Sequence, residues 1–485
     1  MTASEAAGRR QQAGLAASSQ RVALIVAIAF FMQFLDGTII STSLPQMGAS
    51  FGIPPVGMSV GITVYLLTTA VFVPASGWLA DRFGAREVFA IAIIVFTLSS
   101  LGCGLAQNLP EFIAARAVQG LGSALMTPVG RVLVLRNASK AELLSATALV
   151  TWPALFAPVI GPVLGGFITT YLTWRWNFFL NLPLGILGVW LVVKFVPDYG
   201  DAGEQALDWR GFMLASTGLA CVLWGFQRIA QPENFHGLTI ALVIAGLISS
   251  GLAIRHLKAT PTPLLDLSTF KIHTFAISTL SAGTYFRMSI NATPFLLPLL
   301  FQIVFGLSSV GAGSYLFAYF LGNLGMKSIT TPTLRLFGFR NVLIVNGLVA
   351  SLSIIACASI STRTPWPLVV GLMLIAGLSR SMQFTALATL SFADVPPAQR
   401  SSASTLSAIL QQVAMVFGVA FAAAILNLSQ YLRGGAILAP VDFRVAFVAI
   451  GVIGLAASFQ FLSLPHDAAA EVSGHSGKSR RAERQ

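Results

Sequence analysis

The chain has 485 residues, of which 55% are hydrophobic and only 9% charged, and its mean hydropathy is +0.79. A soluble protein carries about 25% charged residues, so this composition excludes a soluble globular domain and calls for a polytopic membrane protein. The net charge of +12 would suit a nucleic-acid binder, but the cations are scattered over short segments between apolar runs, the pattern that membrane topology produces.

Residues 1–21 form a polar, basic tail with no signal-peptide cleavage pattern. The first apolar run, Val22–Leu44, is long enough to cross a bilayer. Asp36 lies about midway along it and is the one acid of seventeen that falls in the interior of a long apolar stretch, Glu87 and Glu111 standing at the very starts of theirs. An ionisable group at that depth costs about 2.5–3.5 kcal/mol on insertion scales, and such groups mark proton or substrate sites. Further runs follow at 57–80, 87–107, 110–134, 143–168, 174–196, 211–230, 237–256, 274–303, 309–331, 341–361, 366–391, 402–427 and 443–464. With the first at 22–45, fourteen spans are predicted.

An even number of spans puts both termini on one side. With that side cytoplasmic, and cations at span ends counted with the adjoining loops, 20 of the 29 lysines and arginines fall inside, five outside and four within spans, which satisfies the positive-inside rule. Two polar joints divide the chain, at 197–210 and 258–273. The predicted fold is an all-α membrane protein with a six-helix bundle at 22–196, a two-helix insert at 211–257 and a second six-helix bundle at 274–464. A basic cytoplasmic tail, 465–485, follows. Secondary transporters are often built from two such halves around a site at the bilayer midplane.

Four stretches of the first block carry chemistry. LDGTIISTSLPQM contains Asp36, which is either a structural acid bonded to Thr38 or another span, or a carboxyl that changes protonation as its surroundings change. GWLADRFGAREVF, in the loop after span two, offers Gly77 and Gly84 for close approach and a tight turn, and Asp81, Arg82 and Arg86 for charge pairs. RAVQGLGSALMTPVGR places Arg116 and Gln119 inside span four. PALFAPVIGPVLGG interrupts span five with Pro158, Gly161, Pro162, Gly165 and Gly166.

In this order and in these spans, the four stretches resemble the major facilitator superfamily, and more narrowly its fourteen-span drug:proton antiporter branch. WRWNFFLNLPLG, opening span six, resembles that branch as well. The resemblance implies a transporter rather than an enzyme, one that exports amphipathic drugs by alternating access in exchange for protons. It places Arg116 on span four facing Asp36, makes Asp81, Arg82 and Arg86 a cytoplasmic gate, and makes the span-five residues an antiporter bend. Over the second block it rests on span count, on PLLDLSTFK and on TPTLRLFGFR, a degraded echo of the loop motif with no counterpart to Asp81.

The second block carries Arg287, Lys327 and Arg380 with no acid in their spans. Exporters of cationic drugs would be expected to show cavity carboxylates, so a neutral or anionic substrate is as well founded as a cationic one. Gln33, Gln119, Arg287, Arg380 and Gln383 are the candidate cavity residues, with helix packing the commoner role for the three glutamines. GNLGMKS lacks phosphate-loop spacing, and neither the five histidines nor the three cysteines show metal spacing. No cofactor, metal, nucleotide or nucleic acid is therefore expected. The expected partners are a small-molecule substrate, protons and the lipid of a bacterial-type inner (plasma) membrane, and a monomeric chain is compatible with the sequence.

Overall fold

A long apolar run surrounded by lipid can satisfy its backbone N–H and C=O groups only within itself, as a helix. The computed structural model describes residues 3–137, 143–197, 207–229, 237–260, 263–396 and 399–470, and among these there are helices and no strand. Most of the joint predicted at 197–210, and the tail beyond 470, lie outside the described residues.

Helix α1 (Ala3–Ile39) tightens into a 3-10 turn at Ile40–Thr42, and α2 (Leu44–Phe51) stops at Gly52, which has φ 68°. Then come α3 (Ser59–Phe83), α4 (Ala85–Leu105), α5 (Leu109–Asn137), α6 (Leu143–Tyr171), α7 (Trp176–Phe179) and α8 (Asn181–Phe195). After the first joint lie α9 (Trp209–Ile229) and α10 (Gly237–Ala259). The remainder is α11 (His273–Thr279), α12 (Ala282–Leu299), α13 (Ser309–Gly325), α14 (Lys327–Ala356), α15 (Trp366–Ala393), α16 (Arg400–Leu432) and α17 (Pro440–Gln460).

Eleven helical segments among the described residues are long and apolar enough to cross a membrane. The spans predicted at 211–230, 274–303 and 309–331 fall on helices outside that set. These are α9, the pair α11 and α12 broken at Leu280–Ser281, and α13, which has 17 residues. One of the eleven, Lys327–Ser359, contains Gly338 at φ 74°, ψ 162°, which breaks the helical path between the runs predicted at 309–331 and 341–361. The count of fourteen is thus not decided by helix length and composition alone.

Helices α1, α3–α6 and α8 pack mainly on one another, and so do α12–α17. The two sets meet along α6 and α13 and along α3 and α16. Helix α9 packs against both α3 and α16. The Gln227 amide fastens it there, accepting from Thr63 Oγ1 at 3.0 Å and donating to Ser59 Oγ at 3.1 Å. Helix α10 packs on α9 through a stripe of Thr239, Gly246 and Ala253 at seven-residue spacing, with Leu257 also buried, while Leu238, Ile240, Ile244, Leu247, Ile248, Leu252 and Ile254 are exposed, as lipid-facing residues are. Its far end is fastened to the first joint by His256 Nε2 and Asp208 Oδ1, 2.8 Å apart. Burial pushes the Asp208 carboxyl up, but bonds from the Gly211 N–H and the His256 ring hold it below the usual carboxylate value.

Candidate functional site

Asp36 enters the interior from α1 and is 1% exposed. It lies six residues before the end of the Gln20–Thr42 span, nearer that end than the midway position expected. Helix α5 supplies two partners one turn apart: Arg116 Nη1 donates to Oδ2 at 2.8 Å, and Gln119 Nε2 donates to Oδ1 at 2.9 Å. Helix α8 supplies the third, with Asn181 Nδ2 donating to Oδ1 at 2.9 Å. Thr38 is not a partner, because its hydroxyl donates to the Phe34 and Leu35 carbonyls.

The partners are themselves held. Ser100 Oγ accepts from Gln119 and Asn181, and the Gly61 carbonyl accepts from Arg116 Nε at 3.2 Å. The Arg116 guanidinium also stacks 4.3 Å from the Tyr65 ring centroid. Three donors on two oxygens are what an ionised carboxylate accepts. Removing one member of such a buried ion pair costs about 3–5 kcal/mol, because the other charge is left uncompensated.

Two of the candidate cavity residues lie in packing networks, the commoner role for such amides. Gln119 is fully buried in the Asp36 network. Gln383 is fully buried between α14 and α15, where it accepts from Asn346 Nδ2 and donates to the Leu343 carbonyl. Gln33 is half-buried and bonded to Ser123 and Thr127 of α5. Tyr65, Ser100 and above all Asn181 are site residues that sequence reasoning missed. The available signal was the pair Asn177 and Asn181, one turn apart in an apolar run.

At the loop after α3, Gly84 has φ 88°, the left-handed conformation that suits a tight turn at a glycine. Gly77 does not mark a close approach, since a Cβ there would meet nothing within 4 Å. Asp81 and Arg82 are exposed, while Arg86 Nη2 donates to the Val193 carbonyl at 2.6 Å, near the end of α8. The degraded echo repeats this geometry: Gly338 has φ 74°, and Arg340 Nη2 donates to the Leu462 carbonyl just past α17 at 3.0 Å.

Span five is a close-packed seam. A Cβ on Gly161 would strike Thr38, and one on Gly165 would strike the Ile39 carbonyl, both on α1. On the neighbouring face, a Cβ on Gly166 would strike the Ser309 carbonyl of α13, and one on Gly313 would strike the Pro162 carbonyl of α6. Pro158 and Pro162 remove backbone donors within α6 itself. Beside this seam the two helix sets are joined by side chains: Gln46 Nε2 donates to Ser309 Oγ at 2.8 Å and to Gln302 Oε1 at 3.2 Å, and Gln302 Nε2 donates to the Thr42 carbonyl at 2.9 Å.

In the second set, Arg287 is 1% exposed and its Nη1 donates to the Ser278 carbonyl at 2.6 Å. Arg380 is half-buried and donates to Asn291 Oδ1 at 3.3 Å. Lys327 Nζ donates to Thr385 Oγ1 at 2.7 Å. Asp36 is not the sole buried carboxylate: Asp442, at the start of α17, is fully buried and paired with Arg433 at 2.8 Å. Glu111, at the start of α5, is exposed. An outward-facing groove of about 830 Å³ between α4 and α8, lined by Leu98, Ile186, Trp190 and Lys194, contains none of the site groups.

The comparisons agree with this architecture. The family model described as Major Facilitator Superfamily matches residues 26–419. Proteins provisionally named multidrug resistance protein MdtD are similar to the chain. The one from Citrobacter koseri is 33% identical over 446 residues, covering 91% of this chain and 94% of that protein. The one from Escherichia coli O6:H1 is 35% identical over 449 residues, with the same coverage. Among solved structures, a D-xylose–proton symporter has a TM-score of 0.67 at 16% identity, covering 93% of this chain and 98% of that one. The human organic anion transporter MFSD10 (TETRAN) has a TM-score of 0.61 at 14% identity, covering 91% and 99%. At these identities the structural matches speak for the fold alone. A match across most of the chain, on an all-helical membrane architecture, shows that the chain belongs to the Major Facilitator Superfamily and is a transporter, not an enzyme.

Proposed function

We propose that the chain exports amphipathic compounds from the cytoplasm in exchange for protons, by alternating access. The observation that carries the reading is the buried Asp36–Arg116 pair with its Gln119 and Asn181 donors. In one facing state the carboxylate is held by three donors. In the other a proton replaces them, so that proton binding and helix rearrangement bias each other through differential affinity. One proton moved across 100 mV supplies about 2.3 kcal/mol, enough to drive accumulation. The names of the MdtD relatives support drug export.

In this reading the chain crosses a bacterial inner membrane fourteen times with both termini cytoplasmic. Helix α13 and the first part of α14 form one span, because the backbone bond from Thr330 N to Met326 O carries the helix across their junction. The two helix sets are the rocking halves, α9 and α10 are the insert, and the Gly84 loop with Asp81, Arg82 and Arg86 gates the cytoplasmic side. Asp36→Asn in proteoliposomes is expected to abolish substrate-driven proton release; undiminished release would overturn the assignment.

A second reading, export of an organic anion, is favoured by one observation. Among the described residues, Arg287, Lys327 and Arg380 have no acid in ion-pairing reach.

A further inference from the structure

We propose that an organic carboxylate with an apolar, aromatic body binds beside Arg380, between α12, α13 and α15. The inference deepens the second reading above and depends on it for its purpose, but its geometry stands separately.

The Arg380 guanidinium carbon lies 6.0, 5.8 and 5.6 Å from the ring centroids of Tyr319, Phe320 and Phe384. Its hydrogen bond is the long one to Asn291, and its Nε has no partner. Asn291, which accepts that bond, has its own Nδ2 buried without a partner and is 7% exposed. Arg287 stands 5.8 Å from the same Phe384 ring, with its own Nε unpartnered.

Two other arginines have acid partners. Arg116 has Asp36, and Arg433 has Asp442. A buried guanidinium without a counter-charge is costly, and so are buried donors without acceptors. One ligand supplies the counter-charge. A carboxylate accepts from the half-buried Arg380 guanidinium, next to Asn291, in the two-bond geometry that arginine favours. The three rings then cover an apolar body. A cationic ligand would meet two guanidinium groups of its own sign, and a neutral one would leave the charge unanswered. Arg287 is a positioning residue: its bond to the Ser278 carbonyl secures the last turn of α11 beside the break that starts α12.

The test is calorimetric binding to the purified full chain in nanodiscs, with 2-naphthoate as probe and 2-naphthamide as its neutral counterpart. Naphthoate is expected to bind at least tenfold more tightly, and Arg380→Gln to erase that preference while Arg380→Lys retains part of it. Equal affinity for the two probes, an unchanged preference in Arg380→Gln, or displacement by chloride at equal concentration would each overturn the site. If Arg380→Gln does not fold, the wild-type unfolding temperature decides, since naphthoate must raise it and naphthamide must not. Asp36→Asn is expected to keep naphthoate binding while losing proton release. Naphthoate binding without naphthoate-driven proton release upholds the site and defeats anion export. Proton release driven by neutral drugs, with no naphthoate preference, defeats the site and leaves the export reading.

Discussion

At Asp36, three donors from two helices meet one carboxylate. A hydrogen bond to a charged group contributes about 1.5–3 kcal/mol, and 1.4 kcal/mol is a factor of about ten. Asn181→Ala is therefore expected to slow proton-coupled exchange in proteoliposomes at least tenfold. Asn177→Ala is the control, because its amide bonds Ser43 and Thr169 and does not touch Asp36. That variant is expected to lower stability and leave coupling intact; equal effects of the two on coupling would refute the role given to Asn181. Asp36 and Arg116 were legible in the sequence because charges within apolar runs are few and each needs a partner. Asn181 was not, since a neutral amide in a membrane helix is most often packing glue, and nothing in a linear pattern says which helix it faces. Gln119 and Gln383 were legible as amides suited to packing, but the neighbours that saturate them come only from the fold.

Among the helices, span five shows what small residues do. Gly166→Ala would drive a Cβ into the Ser309 carbonyl of α13, which is backbone and cannot rotate aside. A destabilisation of about 1–3 kcal/mol is expected, measured by unfolding of the purified protein in detergent. Gly371→Ala in α15 meets nothing within 4 Å, so the better helix propensity of alanine is expected to leave stability unchanged or raise it by up to about 1 kcal/mol. A loss at both positions would mean that packing is not what Gly166 provides. The Pro/Gly-rich run was visible in the sequence as a site of bending and close packing. That one face meets α1 and the other meets α13 was not, because both surfaces are equally apolar. The reverse held for the loop echo: its missing aspartate left a latch in doubt, yet Gly338 and Arg340 reproduce the turn and the carbonyl bond of Gly84 and Arg86.

Across the whole molecule, the polar link of Gln46, Gln302 and Ser309 joins the two helix sets beside the α6–α13 seam. Each net hydrogen bond contributes about 0.5–1.5 kcal/mol. Gln302→Ala removes its bonds to Gln46, Ser309 and Thr42, and is expected to shift the population toward separation at this end by tenfold or more. Pulsed electron resonance between spin labels at Ala49 and Leu307 would read the change as a longer-distance component, and an unaltered distribution would show that the link does not hold the two sets together at this end.

The sequence by itself determined that this is a helical membrane transporter with an expensive carboxylate in its first span and unmatched cations in its second block. Those properties depend on run length against bilayer thickness and on the cost of charge in hydrocarbon, both of which can be counted along a chain. Only the tertiary structure decided which polar groups meet. Partner choice depends on helix rotation and proximity across 80 to 145 residues of sequence, and in an apolar medium many rotations bury similar surface. The structure also set Asp442 beside Arg433 and left Arg380 facing rings instead of an acid. The same fold therefore holds one buried acid among three donors from two helices, another at a helix end, and a cation that has no acid beside it among the described residues.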